Sequence, residues 1–334
     1  MKESNLPVIF IMGPTASGKT ALAIDLVQKD FFSAENQQAK NNQIKFNGFE
    51  IISVDSTLVY TQMNIGSAKP TESELVLAPH HLIDFLDPKD SYSVSQFCSD
   101  ALNLINDIHS RNKVPLLVGG TMLYFKALTQ GIAEMPVTDN RVRAEIQEKL
   151  KLVGIESLHK DLQKVDPISA QRLNSKDTQR ITRALEVFKS SGKPISQWHK
   201  EQESYEFPFK LLSIAISPTE RTTLHERIAE RFDRMIESGF LQEISDLYNR
   251  EDLDLDCPSM RSVGYRQYWQ YKQGVYTLDE AREKAIIATR QLAKRQLTWL
   301  RSWSNIHWFD LSDEQNKIDC HKLIESFLEK PCTT

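Results

Sequence analysis

Near the start of the chain an apolar run, VIFIM at residues 8–12, leads directly into GPTASGKT at 13–20 and then into the helix-forming stretch ALAIDLV. Nothing else in the sequence restricts the fold so sharply. The order strand, G-x-x-x-x-G-K-T, helix is that of a phosphate-binding loop. Its glycines let successive backbone N–H groups converge on phosphate oxygens, and the helix adds the positive end of its dipole. Gly13, Pro14, Thr15, Ala16, Ser17, Gly18, Lys19 and Thr20 are therefore the candidate phosphate-binding residues. Lys19 adds a point charge, and the Thr20 hydroxyl is a candidate ligand for a Mg²⁺ ion bridging two phosphates. Such a loop specifies a polyphosphate and not adenosine, so a diphosphate that leaves is as compatible with it as a phosphoryl group that moves.

Further short apolar runs at 50–54, 114–118 and 210–216, separated by helical patterns, extend the loop into a parallel α/β sheet flanked by helices, of the P-loop type. From about 139 to 200 the strand signal lapses. There Ile181, Leu185 and Phe188 recur at helical spacing, and Gly192 and Pro194 follow as stop signals. The expected organisation is a first core part at 1–136, an all-helical insertion at 137–200, a second core part at 201–311 with a basic C-terminal helix, and a peripheral acidic tail at 312–334. A helix is expected after the 210–216 strand, with Ser217 as N-cap, Pro218 in the first turn and Gly239 past its end. The polar stretch 31–48 reads as an exposed loop or hairpin insertion.

No apolar run approaches the ~20 residues of a membrane span. Cys98, Cys257, Cys320 and Cys332 lie too far apart for a zinc site or a disulfide framework. The expectation is a cytoplasmic, monomeric protein without membrane contact. A formal net charge of −4 excludes a general positive field, so any nucleic-acid surface must be local.

The second strand runs into Asp55, Ser56, Thr57 and Leu58 at the sheet edge where ligands bind in open α/β folds. Asp55 is open to three readings: a metal-holding carboxylate, a base for an attacking group, or an N-cap. Leu224, Ile228, Phe232 and Met235 mark the apolar face of a later helix, yet Arg231 falls on that face and needs a partner there. It either pairs with an internal carboxylate or snorkels to the rim. In the helix from about 281 to 302, Leu292, Ala293, Leu297 and Leu300 share one arc, and Arg290, Lys294, Arg295 and Arg301 the other.

The runs ISVDSTLVYTQMNIGSAKPT, APHHLIDFLDP, YSVSQF, VPLLVGGTMLYFKAL, RALEVFKSSGKP, RSVGYRQYW and TRQLAKRQLTWLRSW, in this order, closely resemble the tRNA dimethylallyltransferase (tRNA isopentenyltransferase) family. Asn64 and Ser67 depart from the Asp and Thr expected there. The resemblance implies transfer of a dimethylallyl group from dimethylallyl diphosphate to the exocyclic amine of the adenosine immediately 3′ of the anticodon, in tRNAs reading codons that begin with U. It implies that the loop and Mg²⁺ hold the departing diphosphate, that Asp55 orients the amine and takes its proton, and that Arg231 reaches the diphosphate, giving Asp55, Lys19, Thr20 and Arg231 as the catalytic set. It implies contact with the tRNA anticodon stem-loop through Asp55, Ser56, Thr57 and Leu58, through Gln179, Arg180, Ile181, Thr182 and Arg183, through Arg261, Ser262, Val263, Gly264, Tyr265 and Arg266, and through Arg290, Lys294 and Arg295. Met122, Tyr124 and Phe125 are equally readable as channel wall or core. The competing readings are a P-loop phosphotransferase acting on a small molecule with ATP, a non-catalytic RNA binder, and a transferase acting on free adenine nucleotides.

Overall fold

The computed structural model describes residues 6–29, 31–32, 46–133, 135, 139–202 and 205–329. Most of the polar stretch 31–48 lies outside the described residues, as does Cys332. The chain divides into two compact units, one of residues 1–127 with 208–334 and one of residues 128–207.

The larger unit is built on six parallel strands: β1 (Pro7–Met12), β2 (Phe49–Val54), β3 (His80–His81), β4 (Val114–Gly119), β5 (Lys210–Ile216) and β6 (Ile306–Phe309). Their order is β3-β2-β4-β1-β5-β6. β1 pairs with β4 from Ile9 opposite Leu116 and with β5 from Pro7 opposite Lys210. The loop-bearing strand is thus central and buried along its whole length, as the unbroken VIFIM run requires. Strand geometry sends alternate side chains to opposite faces. Ile9 and Ile11 join the cluster formed with Leu22 and Leu26 of α1 (Lys19–Gln28). Phe10 meets Phe125 of α4 (Met122–Gln130), their ring centroids 4.8 Å apart. On that side Tyr124 stacks on Phe97 of α3 (Val94–Ser110) at 4.3 Å. Met122, Tyr124 and Phe125 are all buried, so they are core. The outer strands are short, β3 being the pair His80–His81 and β6 the four residues IHWF, so neither makes an apolar run long enough to mark a strand in the sequence.

α2 (Glu72–Leu77) precedes β3, and a second apolar cluster joins the later helices α9 (Arg221–Glu237), α10 (Phe240–Tyr248), α11 (Tyr265–Lys272) and α12 (Leu278–Arg301) to Val59, Tyr60 and Met63. α9 begins at Arg221 and not at Pro218, because the preceding backbone is claimed elsewhere. Ser217 N donates to Phe309 O at 3.1 Å and Thr219 N to Asp310 Oδ2 at 2.6 Å. The segment expected to be a peripheral tail is part of the core: residues 314–329 form α13 (Glu314–Glu329), and its Cys320 and Ile324 are fully buried against the α1 side of the sheet. Its acidic residues occupy the outer face of an amphipathic helix, which composition alone reads as a solvated tail.

Among the described residues the elements of the second unit are all helices. α5 (Asn140–Val165) is interrupted at Gly154, which adopts φ 75°, and is followed by α6 (Pro167–Arg172), α7 (Thr178–Ser191) and α8 (Ile195–Glu201). Ile146, Leu158, Leu162, Ala170, Ile181 and Ala184 form its core. Buried Asp166 ties α6 to α8, accepting from Ser169 N at 3.0 Å, Ser169 Oγ at 2.7 Å and Ser196 N at 2.9 Å. Among the described residues no helix is long and apolar enough to cross a membrane.

Candidate active site

The loop after β1 is shaped by close approach. A Cβ on Gly13 would lie 2.3 Å from Ile216 O and 2.8 Å from Ser17 Oγ, so the turn closes only around glycine. Thr15, Ala16, Ser17, Gly18, Lys19 and Thr20 line a cavity of about 320 Å³ at the carboxyl ends of the central strands. Gly13 and Pro14 do not line it. They stand behind it, and Pro14 O accepts a hydrogen bond from Lys19 Nζ at 2.6 Å. The same cavity takes in Asp55, Thr57, Leu58, Arg231 and Val263, so separate sequence motifs meet in one place.

Its electrostatics are those of an anion site. Burial pushes the Lys19 ammonium down to about 7, the Arg231 guanidinium pushes it in the same direction, and Asp55 partly offsets both. Burial also lowers Arg231, with Asp55 opposing. Two cations thus share a desolvated space with one carboxylate, an arrangement that a bound polyanion relieves. Ser17 Oγ is buried there without a partner, the kind of orphaned group a ligand oxygen satisfies. Thr20 is exposed to the cavity from the first turn of α1.

No helix starts after Asp55, so it is not an N-cap; its carboxylate fixes a turn instead. Oδ1 accepts from Thr57 N at 2.8 Å and Leu58 N at 3.3 Å, fixing the turn after β2. Oδ2 takes no hydrogen bond from the described residues and remains available as an acceptor. Ser56 is exposed, and its N–H donates to Thr121 Oγ1 at 3.2 Å. Thr57 Oγ1 lies 3.2 Å from Ser262 Oγ, which brings the turn after β2 against the RSVGYR segment.

Among the described residues Arg231 forms no salt bridge, although Asp55 lines the same cavity. Its guanidinium donates to Ser67 O at 3.2 Å and faces the cavity. Asn64 and Ser67 are both used structurally: Asn64 Oδ1 accepts from Lys69 Nζ at 2.7 Å, and Ser67 Oγ donates to Met63 O at 2.6 Å. An amide oxygen and a hydroxyl serve these contacts as the expected Asp and Thr would.

Several residues expected to touch RNA are engaged within the protein. Tyr265 is fully buried, with its hydroxyl donating to Glu243 Oε1 at 2.7 Å. Gly264 is buried and its N–H donates to Gln267 Oε1 at 2.9 Å. In the helical unit Ile181 is fully buried and Thr182 nearly so, its hydroxyl donating to Thr178 O at 2.9 Å. Both were carried by motif membership, and both lie on the inner side of α7. Gln179 and Arg180 are exposed and Arg183 is half-buried, Arg180 paired with Asp177. Arg261 and Arg266 are exposed, Arg261 within 3.0 Å of Asp256 Oδ1. On α12, Lys294 and Arg295 are exposed, and Arg290 is half-buried with Nε enclosed and unpartnered.

The same helix supplies residues that the sequence reading missed. Thr289, Leu292 and Gln296 line the cavity. Gln296 Oε1 accepts from Thr15 N at 3.0 Å and Nε2 donates to Gly120 O at 2.9 Å. The signal was available: a polar residue within the apolar arc of a helix, the same anomaly that marked Arg231.

The model of one protein family, IPP transferase, matches residues 58–303. The crystal structure of the full-length tRNA isopentenylpyrophosphate transferase from Bacillus halodurans is similar along 98% of this chain and 97% of that one, with 34% identity and a TM-score of 0.67. That of the tRNA delta(2)-isopentenylpyrophosphate transferase from Staphylococcus epidermidis matches over 96% and 99%, with 32% identity and a TM-score of 0.63. A eukaryotic dimethylallyltransferase acting on tRNA matches 95% of this chain and 78% of its own, at 26% identity and a TM-score of 0.75. These structural matches extend across the phosphate loop and Asp55, which lie ahead of the stretch that the family model matches.

Proposed function

The chain belongs to the IPP transferase family and is a tRNA dimethylallyltransferase, and we propose that a single cavity of this chain carries its chemistry. The observation that supports this most is the convergence of the phosphate loop, Asp55 and Arg231 on that cavity. The substrate amine is an adenine N6, whose lone pair is delocalised into the ring, so attack requires a strongly electrophilic allylic carbon. That carbon arises as the bond from C1 to the diphosphate oxygen breaks. The loop N–H groups, Lys19 and Arg231 meet the charge developing on the diphosphate. The new C–N bond forms to C1, diphosphate leaves, and the N6 proton passes to Asp55 Oδ2.

Among the described residues no three His, Cys, Asp or Glu side chains are grouped to hold a metal ion. The donor set still fits Mg²⁺, with the Thr20 hydroxyl as protein ligand and substrate oxygens and water completing the shell, as this ion is commonly held on phosphates. When bound, it supplies further positive charge at the departing diphosphate.

The acceptor is the adenosine 3′ of the anticodon in tRNAs reading codons that begin with U. Gln179, Arg180 and Arg183 of the helical unit, with Arg261, Arg266, Lys294 and Arg295, are the residues offered to the anticodon stem-loop. An unpaired loop base is the part of an RNA that a protein can turn out and enclose.

The test is nucleoside mass spectrometry of unmodified anticodon stem-loop RNA incubated with protein, Mg²⁺ and dimethylallyl diphosphate, with ATP in a parallel reaction. Prenylated adenosine formed from the diphosphate alone is the expected result. ATP turnover without prenylation would assign the cavity to phosphoryl transfer instead.

A further inference from the structure

Glu243 on α10 turns both carboxylate oxygens to one short loop. Oε2 accepts from Asn64 N at 2.8 Å and Ile65 N at 2.7 Å, while Oε1 accepts from Gly66 N at 3.0 Å and from the Tyr265 hydroxyl at 2.7 Å. Three successive N–H groups converging on one anion form the concavity that elsewhere binds phosphate. Here the protein fills it with its own side chain. The loop is also held by shape: a Cβ on Gly66 would lie 2.1 Å from Phe240 Cε2, so only glycine lets it seat on the first residue of α10. Two independent contacts therefore dock the loop to one helix.

The docked loop faces the site. Gly66, Ser67 and Ala68 line the cavity, and Ser67 O receives the Arg231 guanidinium at 3.2 Å. Among the described residues that carbonyl is the hydrogen-bond partner of Arg231, which has no salt bridge. Lys69, just beyond, anchors the other end of the loop through Tyr60 O at 2.8 Å and Asp84 Oδ1 at 2.5 Å. A long, desolvated guanidinium with one hydrogen bond to the protein takes its direction from that acceptor. The position of Ser67 O in turn depends on the N–H groups captured by Glu243.

We propose that Glu243 is a positioning residue that aims Arg231 at the diphosphate by fixing the backbone of residues 64–67. This rests on the reading of Arg231 as a diphosphate ligand. Glu243→Gln keeps the size but sets an NH₂ group against N–H donors, so the loop must shift. The KM for the prenyl diphosphate should rise about tenfold, and the KM for the RNA should stay within about twofold. Removing Arg231 in that background should then add less than about threefold to the loss, because the guanidinium is already misdirected.

A loss that multiplies in the double variant, or a lowered Tm with an unchanged diphosphate KM, would leave Glu243 a loop clamp and overturn the proposal. Arg231→Ala that by itself left the diphosphate KM unchanged would remove the assignment of Arg231, and this inference with it. Should Glu243→Gln not fold, Gly66→Ala displaces the same loop from Phe240 and is read by the same kinetics.

Discussion

Gln296 Oε1 accepts the Thr15 backbone N–H at 3.0 Å, joining the phosphate loop to a helix 281 residues further along the chain. The other end of the amide donates to Gly120 O at 2.9 Å, and a Cβ on Gly120 would lie 2.3 Å from that nitrogen. One side chain thus accepts from the turn after β1 and donates to the turn after β4. An amide is the group that does both at once.

Gln296→Leu is expected to strand both backbone groups. A buried group left without a partner costs about 1–3 kcal/mol, and Gly120 O is buried while Thr15 N is half-buried, so urea denaturation should register a loss of about 2–4 kcal/mol, accompanied by weaker diphosphate binding. Gln296→Glu keeps the acceptor for Thr15 but turns an oxygen on Gly120 O and adds an anion beside the diphosphate. Its binding defect should therefore exceed that of the leucine variant. Isothermal titration with inorganic diphosphate distinguishes the two, and equal defects would deny the amide its paired role.

Burial and the Arg231 guanidinium push the Lys19 ammonium down to about 7. Diphosphate favours the protonated ammonium, so binding takes up a proton, and the contribution of Lys19 to affinity weakens as pH rises above about 7. The phosphate itself titrates nearby, which makes the difference between wild type and Lys19→Met the quantity to measure. That difference should shrink between pH 7 and 9. The same shift acts on the fold with the opposite benefit. With an ordinary value of 10.5 and a folded value of about 7, the charged lysine destabilises the fold fully below pH 7, less as pH rises towards 10.5. Measured without added diphosphate, Lys19→Met should raise the Tm by a few degrees near pH 7 while abolishing transfer.

Asp55 requires the milder of two substitutions. Asn can still accept from Thr57 N and Leu58 N, so Asp55→Asn keeps the turn after β2 and removes only the base. The transfer rate should fall by about 10²–10⁴, with diphosphate affinity nearly unchanged and RNA still bound. Asp55→Ala releases the turn as well and should lower Tm. Equal rates in the Asn variant and the wild type, followed by single-turnover prenylation, would leave Asp55 a turn-fixing residue only.

The readability of this chain follows from where each feature keeps its information. The buried strands β1, β2, β4 and β5 carry continuous apolar runs, and the phosphate loop carries a fixed spacing, so both were legible. The two-residue β3 and the His-bearing β6 owe their existence to pairing with β2 and β5, which no local pattern records. α13 was hidden by its acidic outer face. Within the site, motif membership pointed to whole segments, but packing divided them. In RSVGYR, Val263 lines the cavity and Arg261 is exposed, whereas Tyr265 is buried on Glu243. Gln296 was overlooked among the leucines of its helix although its polarity there had the same meaning as that of Arg231.

Glu50 supplies the counterpart to Lys19, a charge that serves the fold and not the reaction. It stands near the start of β2, about 17 Å along the strand from Asp55 at ~3.3 Å per residue. Burial opposes its ionisation, but Arg111 Nη2 at 2.7 Å, His81 Nε2 at 2.9 Å and Lys113 Nζ at 3.0 Å outweigh that and hold it at about 2. Its folded value is depressed from 4.5, so its stabilisation is complete above about pH 4.5 and is lost as pH falls towards 2. Glu50→Gln should cost about 2 kcal/mol at neutral pH, and the difference from wild type should narrow across that acid range. The KM for either substrate should not move. A change in diphosphate KM would mean that strain at the start of β2 reaches the turn at Asp55, and that the two ends of this strand are mechanically coupled.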